Sequence, residues 1–158
     1  MAGSGPVVTF SVYGHKQIER ELLRFSARAA DASPAWHTIV HLMKEDIKEQ
    51  FDTEGASMSG GWPPDKPVTI ERKAAMGLRT ETMRATDRLM TSLTDEANSD
   101  QVVVIDPHGF EFKSLVDYGA YHMGPSADGT RPARPPVDFT EIQRRKYIKE
   151  LQGFLVGI

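Results

Sequence analysis

Trp36, Ile39, Val40, Met43, Ile47 and Phe51 recur at spacings of three and four. That pattern predicts a helix over about residues 34–51 with one continuous apolar face. A face this wide must be covered by other parts of the chain, so the helix is expected to carry the core, with Ile39 and Ile47 buried. Ser33 is placed to cap it, with Pro34 at the first helical position, where a missing N–H costs nothing. His37, His41 and Glu45 fall on the polar side of the same helix. Their spacing can hold zinc. However, Thr38 stands where the metalloprotease pattern requires glutamate, and a solvated face is the better reading.

Around this helix the pattern changes repeatedly. Val7 to Tyr13 is β-branched and aromatic and stops at Gly14, which predicts a strand. Ile18, Leu22, Phe25 and Ala29 predict an amphipathic helix from His15 to about Ala30. After Phe51, periodicity vanishes over 52–66, a long loop rich in Gly, Ser and Pro. Thr69 can cap a short helix running to Met76 and ended by Gly77. A second short helix is predicted over Asp87 to Glu96. Gln101–Asp106 and Phe110–Val116 read as a hairpin closed by Pro107, His108 and Gly109. Tyr118 to Met123 fits either a strand extension or a helical turn. A second Gly/Pro-rich loop spans 124–136, and Thr140 with Gln143 makes a capping box for a last helix.

With 158 residues the chain fits one domain, 1–158, able to hide roughly 70% of its unfolded surface. The order of elements predicts an α+β fold. A small antiparallel sheet carries two long N-terminal helices and a C-terminal helix packed on it. There is no cysteine, so packing or partners must supply stability. The first residues lack the basic region and apolar run of a signal peptide, and no apolar stretch reaches membrane-spanning length. A net charge of −3 argues against a general nucleic-acid binder, though not against a wall that DNA slides past.

No set of residues reads as an active site. Asp106, Glu111 and Lys113 resemble the Asp and Glu-x-Lys of magnesium-dependent nucleases, but here they flank one tight turn. Ser92 lies on a predicted helix, not on a strand-to-helix elbow. Gly60 and Gly61 lack the Lys-Ser/Thr of a phosphate loop. The unusual residues are anchors in loops instead. Trp62, between Gly61 and Pro63, either pins its loop to the core or inserts into a partner. Arg131 and Arg134 lie in R-P-A-R-P, where Pro132 and Pro135 hold the backbone extended. Both guanidinium groups are then presented at fixed positions for a partner, unless the loop is simply solvated. On that reading Arg134→Ala leaves the monomer folded and weakens assembly. His122, beside Tyr121, is either a core histidine or a contact.

Taken in order, these segments resemble the phage virion morphogenesis, or tail-completion, family. The correspondence runs through Phe51, Gly55, Gly61, Trp62, Thr69, Lys73, Thr86, Leu89 and Ser92 to Tyr118, His122, Pro132, Ala133, Arg134 and Pro135. Asp87 stands where the family has Gly, and Met123 where Gln is frequent. The resemblance implies a structural virion protein without catalysis, cofactor or metal, made in the host bacterial cytoplasm. Copies would form a ring, sixfold by expectation, at the head–tail neck. Its partners would be stopper or connector proteins and tail-terminator or tail-tube proteins. Genomic DNA would pass through the lumen without sequence-specific binding, and no membrane is involved. Interface residues on this reading are Trp62, Lys73, Tyr118, His122, Arg131 and Arg134. A tail terminator of the same neck is the alternative, and a nuclease using Asp106, Glu111 and Lys113 is the alternative of another class.

Overall fold

A computed structural model describes residues 14–158; the strand expected at Val7 to Tyr13 lies outside them. The described elements are α1 (His15–Ala30), α2 (Ser33–Asp52), α3 (Pro67–Ala75), α4 (Arg88–Thr94), β1 (Gln101–Asp106), β2 (Gly109–Ser114) and α5 (Glu141–Val156). A short 3-10 turn, Gly119–His122, resolves the ambiguous segment as helical. The fold is α+β with a two-stranded antiparallel sheet among the described residues.

The apolar face of α2 is the centre of the molecule. Ile39, Val40, Ile47 and Phe51 are buried, the last two completely. Leu89 and Leu93 of α4, Val116 after β2, and Met58 and Trp62 of the following loop join Ile47 and Phe51 in one core. Removing a side chain as enclosed as Phe51 typically costs about 3–5 kcal/mol, through lost transfer energy and the cavity left behind. Ser92 is also fully buried. It donates to the Leu89 carbonyl at 2.8 Å and shares a 2.7 Å hydrogen bond with Ser114, which locks α4 to β2.

Several boundaries differ from expectation for local reasons. Ser33 is inside α2, and its N–H is taken by the Asp31 carboxylate at 3.0 Å; Ala32 occupies the cap position. Thr69 is likewise inside α3, which starts at Pro67 after Lys66. The hairpin turn has two residues, not three, because Asp106 pairs directly with Gly109. The Asp106 carboxylate accepts the His108 N–H at 2.7 Å, a side chain replacing a backbone bond within the turn. The capping box at Thr140 and Gln143 forms as expected.

The largest correction concerns α1 and α5. The expected arrangement packs both on the sheet. Instead α5 lies along α2, and α1 packs chiefly against α5. Ile18 and Leu22 of α1 remain 62% and 64% exposed, so its apolar face meets no other described element fully.

Two polar bonds hold α5 in place. The Tyr147 hydroxyl donates to Asp46 at 2.5 Å, and Lys146 bonds the other carboxylate oxygen at 2.8 Å. Burial first, then the hydrogen bond to Asp46 and its charge, push the Tyr147 phenol well above its ordinary value. The unfolded phenol titrates near 10. Because the folded value is raised, this contribution is complete below pH 10 and is lost as pH rises further. Tyr147→Phe should therefore cost about 1–2 kcal/mol at pH 8, where the phenol is neutral in both states. Thermal melts at pH 8 and pH 11 should show the variant's deficit shrinking at the higher pH.

Candidate functional site: a buttressed cleft between two loops

The loop after α2 is organised by a residue on the buried stripe itself. Gln50 is fully enclosed. Its amide oxygen accepts from the Met58 N–H at 2.9 Å and the Ser57 hydroxyl at 3.0 Å, while its nitrogen donates to the Ser59 hydroxyl at 2.6 Å. One side chain thus satisfies polar groups of residues 57–59, alongside the loop's own backbone bonds such as Trp62 N–H to the Glu54 carbonyl at 2.7 Å. Gly55 makes the close approach possible. It sits at φ 88°, and a Cβ there would lie 2.5–2.7 Å from Trp62 atoms. Trp62 stacks edge-on to Phe51 at 5.3 Å between centroids. Its indole N–H donates to the Pro135 carbonyl at 3.1 Å, so the first loop is fastened to the second.

The fastening continues through charge. Arg134 donates from Nε to the Pro63 carbonyl at 2.8 Å and from Nη2 to the Pro64 carbonyl at 2.9 Å. Its Nη1 lies 2.9 Å from Oδ1 of Asp65. The other oxygen of Asp65 takes Lys73 at 2.6 Å, and Lys73 also donates to the Glu81 carbonyl at 3.0 Å. The Arg134 backbone N–H bonds the His122 carbonyl at 2.8 Å, bringing in the 3-10 turn. Lys73, Asp65 and Arg134 therefore form a nearly buried trio, two cations on one carboxylate.

A cleft of about 220 Å³ opens beside this trio, lined by Asp65, Lys73, Arg88, Tyr118, His122 and Arg134 among others. Tyr118 and His122 meet edge-on at 6.2 Å. Burial first, and then Arg131 and Arg134, hold the His122 imidazole below its ordinary pKa, so it is neutral near pH 7. Arg131 stands outside the cleft, 5.5 Å over the Tyr121 ring. The turn leading into α4 closes one side. Asp87 adopts φ 55°, the left-handed conformation that glycine enters most easily and aspartate tolerates.

Four of the six anticipated contact residues, Lys73, Tyr118, His122 and Arg134, thus meet at one cleft. Arg134 does not project outward as its loop motif suggested, and Trp62 takes the first of its two alternatives, pinning its loop to the core. Both are buried and brace their own chain, because carbonyls of Pro63, Pro64 and Pro135 lie within reach of their N–H groups. Asp65 and Gln50 were missed. Gln50 had a signal, being a polar residue three positions from Ile47 on the apolar stripe. Asp65 had none, since its partners lie 8 and 69 positions away.

The other candidates remain apart. His37 is exposed, and His41 pairs with Glu45 at 3.5 Å on the solvent side of α2. Glu111 pairs with Lys113 at 2.9 Å, while Asp106 is engaged in its turn. Among the described residues no group of three His, Cys, Asp or Glu side chains could hold a metal ion. No described helix is long and apolar enough to cross a membrane. Compared with known proteins, the chain matches no family model, and no curated protein or solved structure is significantly similar to it.

Proposed function

We propose that this chain is a structural protein of a phage neck, acting in tail completion or head–tail joining as part of a ring through which DNA passes. One observation carries the reading most. The segments that give the sequence its tail-completion pattern, from Phe51 to Pro135, converge on a single buttress, with Gly55, Trp62, Lys73, His122 and Arg134 in direct or successive contact. A motif whose distant parts stiffen two long loops beside an open cleft suits a docking platform. Pre-stiffened loops lose less entropy on binding than mobile ones.

Two further features agree with assembly. A closed ring of head-to-tail contacts needs two different patches on each chain. The cleft is one candidate. The row Ile18, Leu22 and Phe25 along α1, exposed and apolar, is a second of different chemistry. The net charge of −3 suits a lumen that DNA crosses without adhering.

Electron microscopy of particles made without this protein tests the proposal. Filled heads and finished but separate tails are the expected result. Abnormally long tubes would assign the chain to tail termination instead, and normal joined particles would overturn both.

A further inference from the structure

We infer that the cleft beside Asp65 is a receptor for one acidic side chain, aspartate or glutamate, of a neighbouring protein chain. The first ground is charge. Lys73 and Arg134 share a single carboxylate, so the trio holds one uncompensated positive charge with side-chain exposures of only 12%, 9% and 11% for Lys73, Asp65 and Arg134. An unbalanced charge in so enclosed a position is costly, and an incoming anion would relieve it. Arg88 at the rim does not alter the excess, because its guanidinium already bonds Asp100 at 2.9 Å. Arg131 adds a further positive charge that reaches His122.

The second ground is donor supply. An ammonium has three N–H groups and a guanidinium five. Lys73 spends two on Asp65 and the Glu81 carbonyl, and Arg134 spends three on Pro63, Pro64 and Asp65. Donors therefore remain on both cations, which are already fixed in place, and a carboxylate is the acceptor that engages two charged donors at once.

The third ground is size and depth. About 220 Å³ lies below the roughly 300–1,000 Å³ of pockets that enclose a drug-sized molecule, and it suits the end of one side chain. A duplex backbone is contacted by cations that stand out from a surface. Lys73 and Arg134 lie recessed between two loops, so a protein carboxylate is favoured over a DNA phosphate. The inference rests on the neck reading only for who supplies the carboxylate; the site itself is a property of the isolated chain.

The test is an NMR titration of the full chain with N-acetyl-glutamate N-methylamide, its glutamine counterpart, and a short DNA duplex. The glutamate compound should shift the Tyr118 and His122 ring signals and move the His122 titration to higher pH. The glutamine compound should bind at least about tenfold more weakly, because the charge-assisted bonds are lost. Lys73→Met leaves Asp65 and Arg134 as a balanced pair and should bind glutamate about tenfold more weakly, whereas Lys73→Arg should retain binding. Equal response to glutamine, or unchanged binding by Lys73→Met, would overturn the site. Stronger ring shifts with DNA would replace it by a phosphate surface. If Lys73→Met fails to fold, the glutamate and glutamine comparison on the unaltered chain decides alone. Failure of head–tail joining in particles, by contrast, bears on the neck reading and leaves this result standing.

Discussion

Gly55→Ala should lower the melting temperature by about 8–16 °C, the equivalent of about 4 kcal/mol in a chain of this size. Two penalties combine. A Cβ at residue 55 would stand 2.5 Å from Cδ1 and 2.7 Å from the backbone nitrogen of Trp62, and backbone cannot swing aside. Overpacking of this kind costs about 1–3 kcal/mol. The φ of 88° adds about 1–2 kcal/mol for any residue with a Cβ. The loss should spread beyond the loop, because Trp62 also holds Pro135 and packs on Phe51. Gly60→Ala and Gly61→Ala separate the two penalties. Both positions have positive φ but open space where a Cβ would go, so each should cost only the backbone share, about 1–2 kcal/mol. Melting curves of the three variants would check this, and equal losses would show that the Trp62 contact is not what makes residue 55 special.

Arg134→Ala should destabilise the monomer itself by about 3 kcal/mol. The guanidinium bonds Pro63, Pro64 and Asp65, and its removal leaves two carbonyls and half of a carboxylate without donors in a nearly closed site. Arg134→Lys should recover less than half. An ammonium on a shorter reach cannot serve three acceptors laid out for a planar fork. Urea unfolding of the purified variants gives the numbers. A midpoint unchanged by Arg134→Ala would restore the outward-facing role that the R-P-A-R-P motif suggested.

That reversal marks where the sequence was legible and where it was not. The α2 stripe, the helix His15–Ala30, strand Gln101–Asp106 and the Thr140 capping box could all be read, because each depends on neighbours within a few residues. The prolines around Arg134 correctly announced an extended backbone. They could not say which way the side chain turns, since that depends on carbonyls some 70 positions earlier. Trp62 posed the same choice, and Phe51 and Pro135 settle it. The placement of α5 depended on Asp46, 100 residues from Lys146, and no local pattern carries that information. The cleft was half visible. His122 and Arg134 were singled out by their local motifs and Lys73 and Tyr118 by the family resemblance, whereas Asp65, which draws Lys73 and Arg134 together, looked like any loop carboxylate.

The most direct measurement of the central claim is joining in vitro. Heads and tails collected from infections lacking this protein would be mixed, and infectious titre counted before and after adding the purified chain. The titre should rise steeply with the native protein and little or not at all with Gly55→Ala above its melting temperature. A titre that stays at background with native, folded protein would contradict a role in completing the neck.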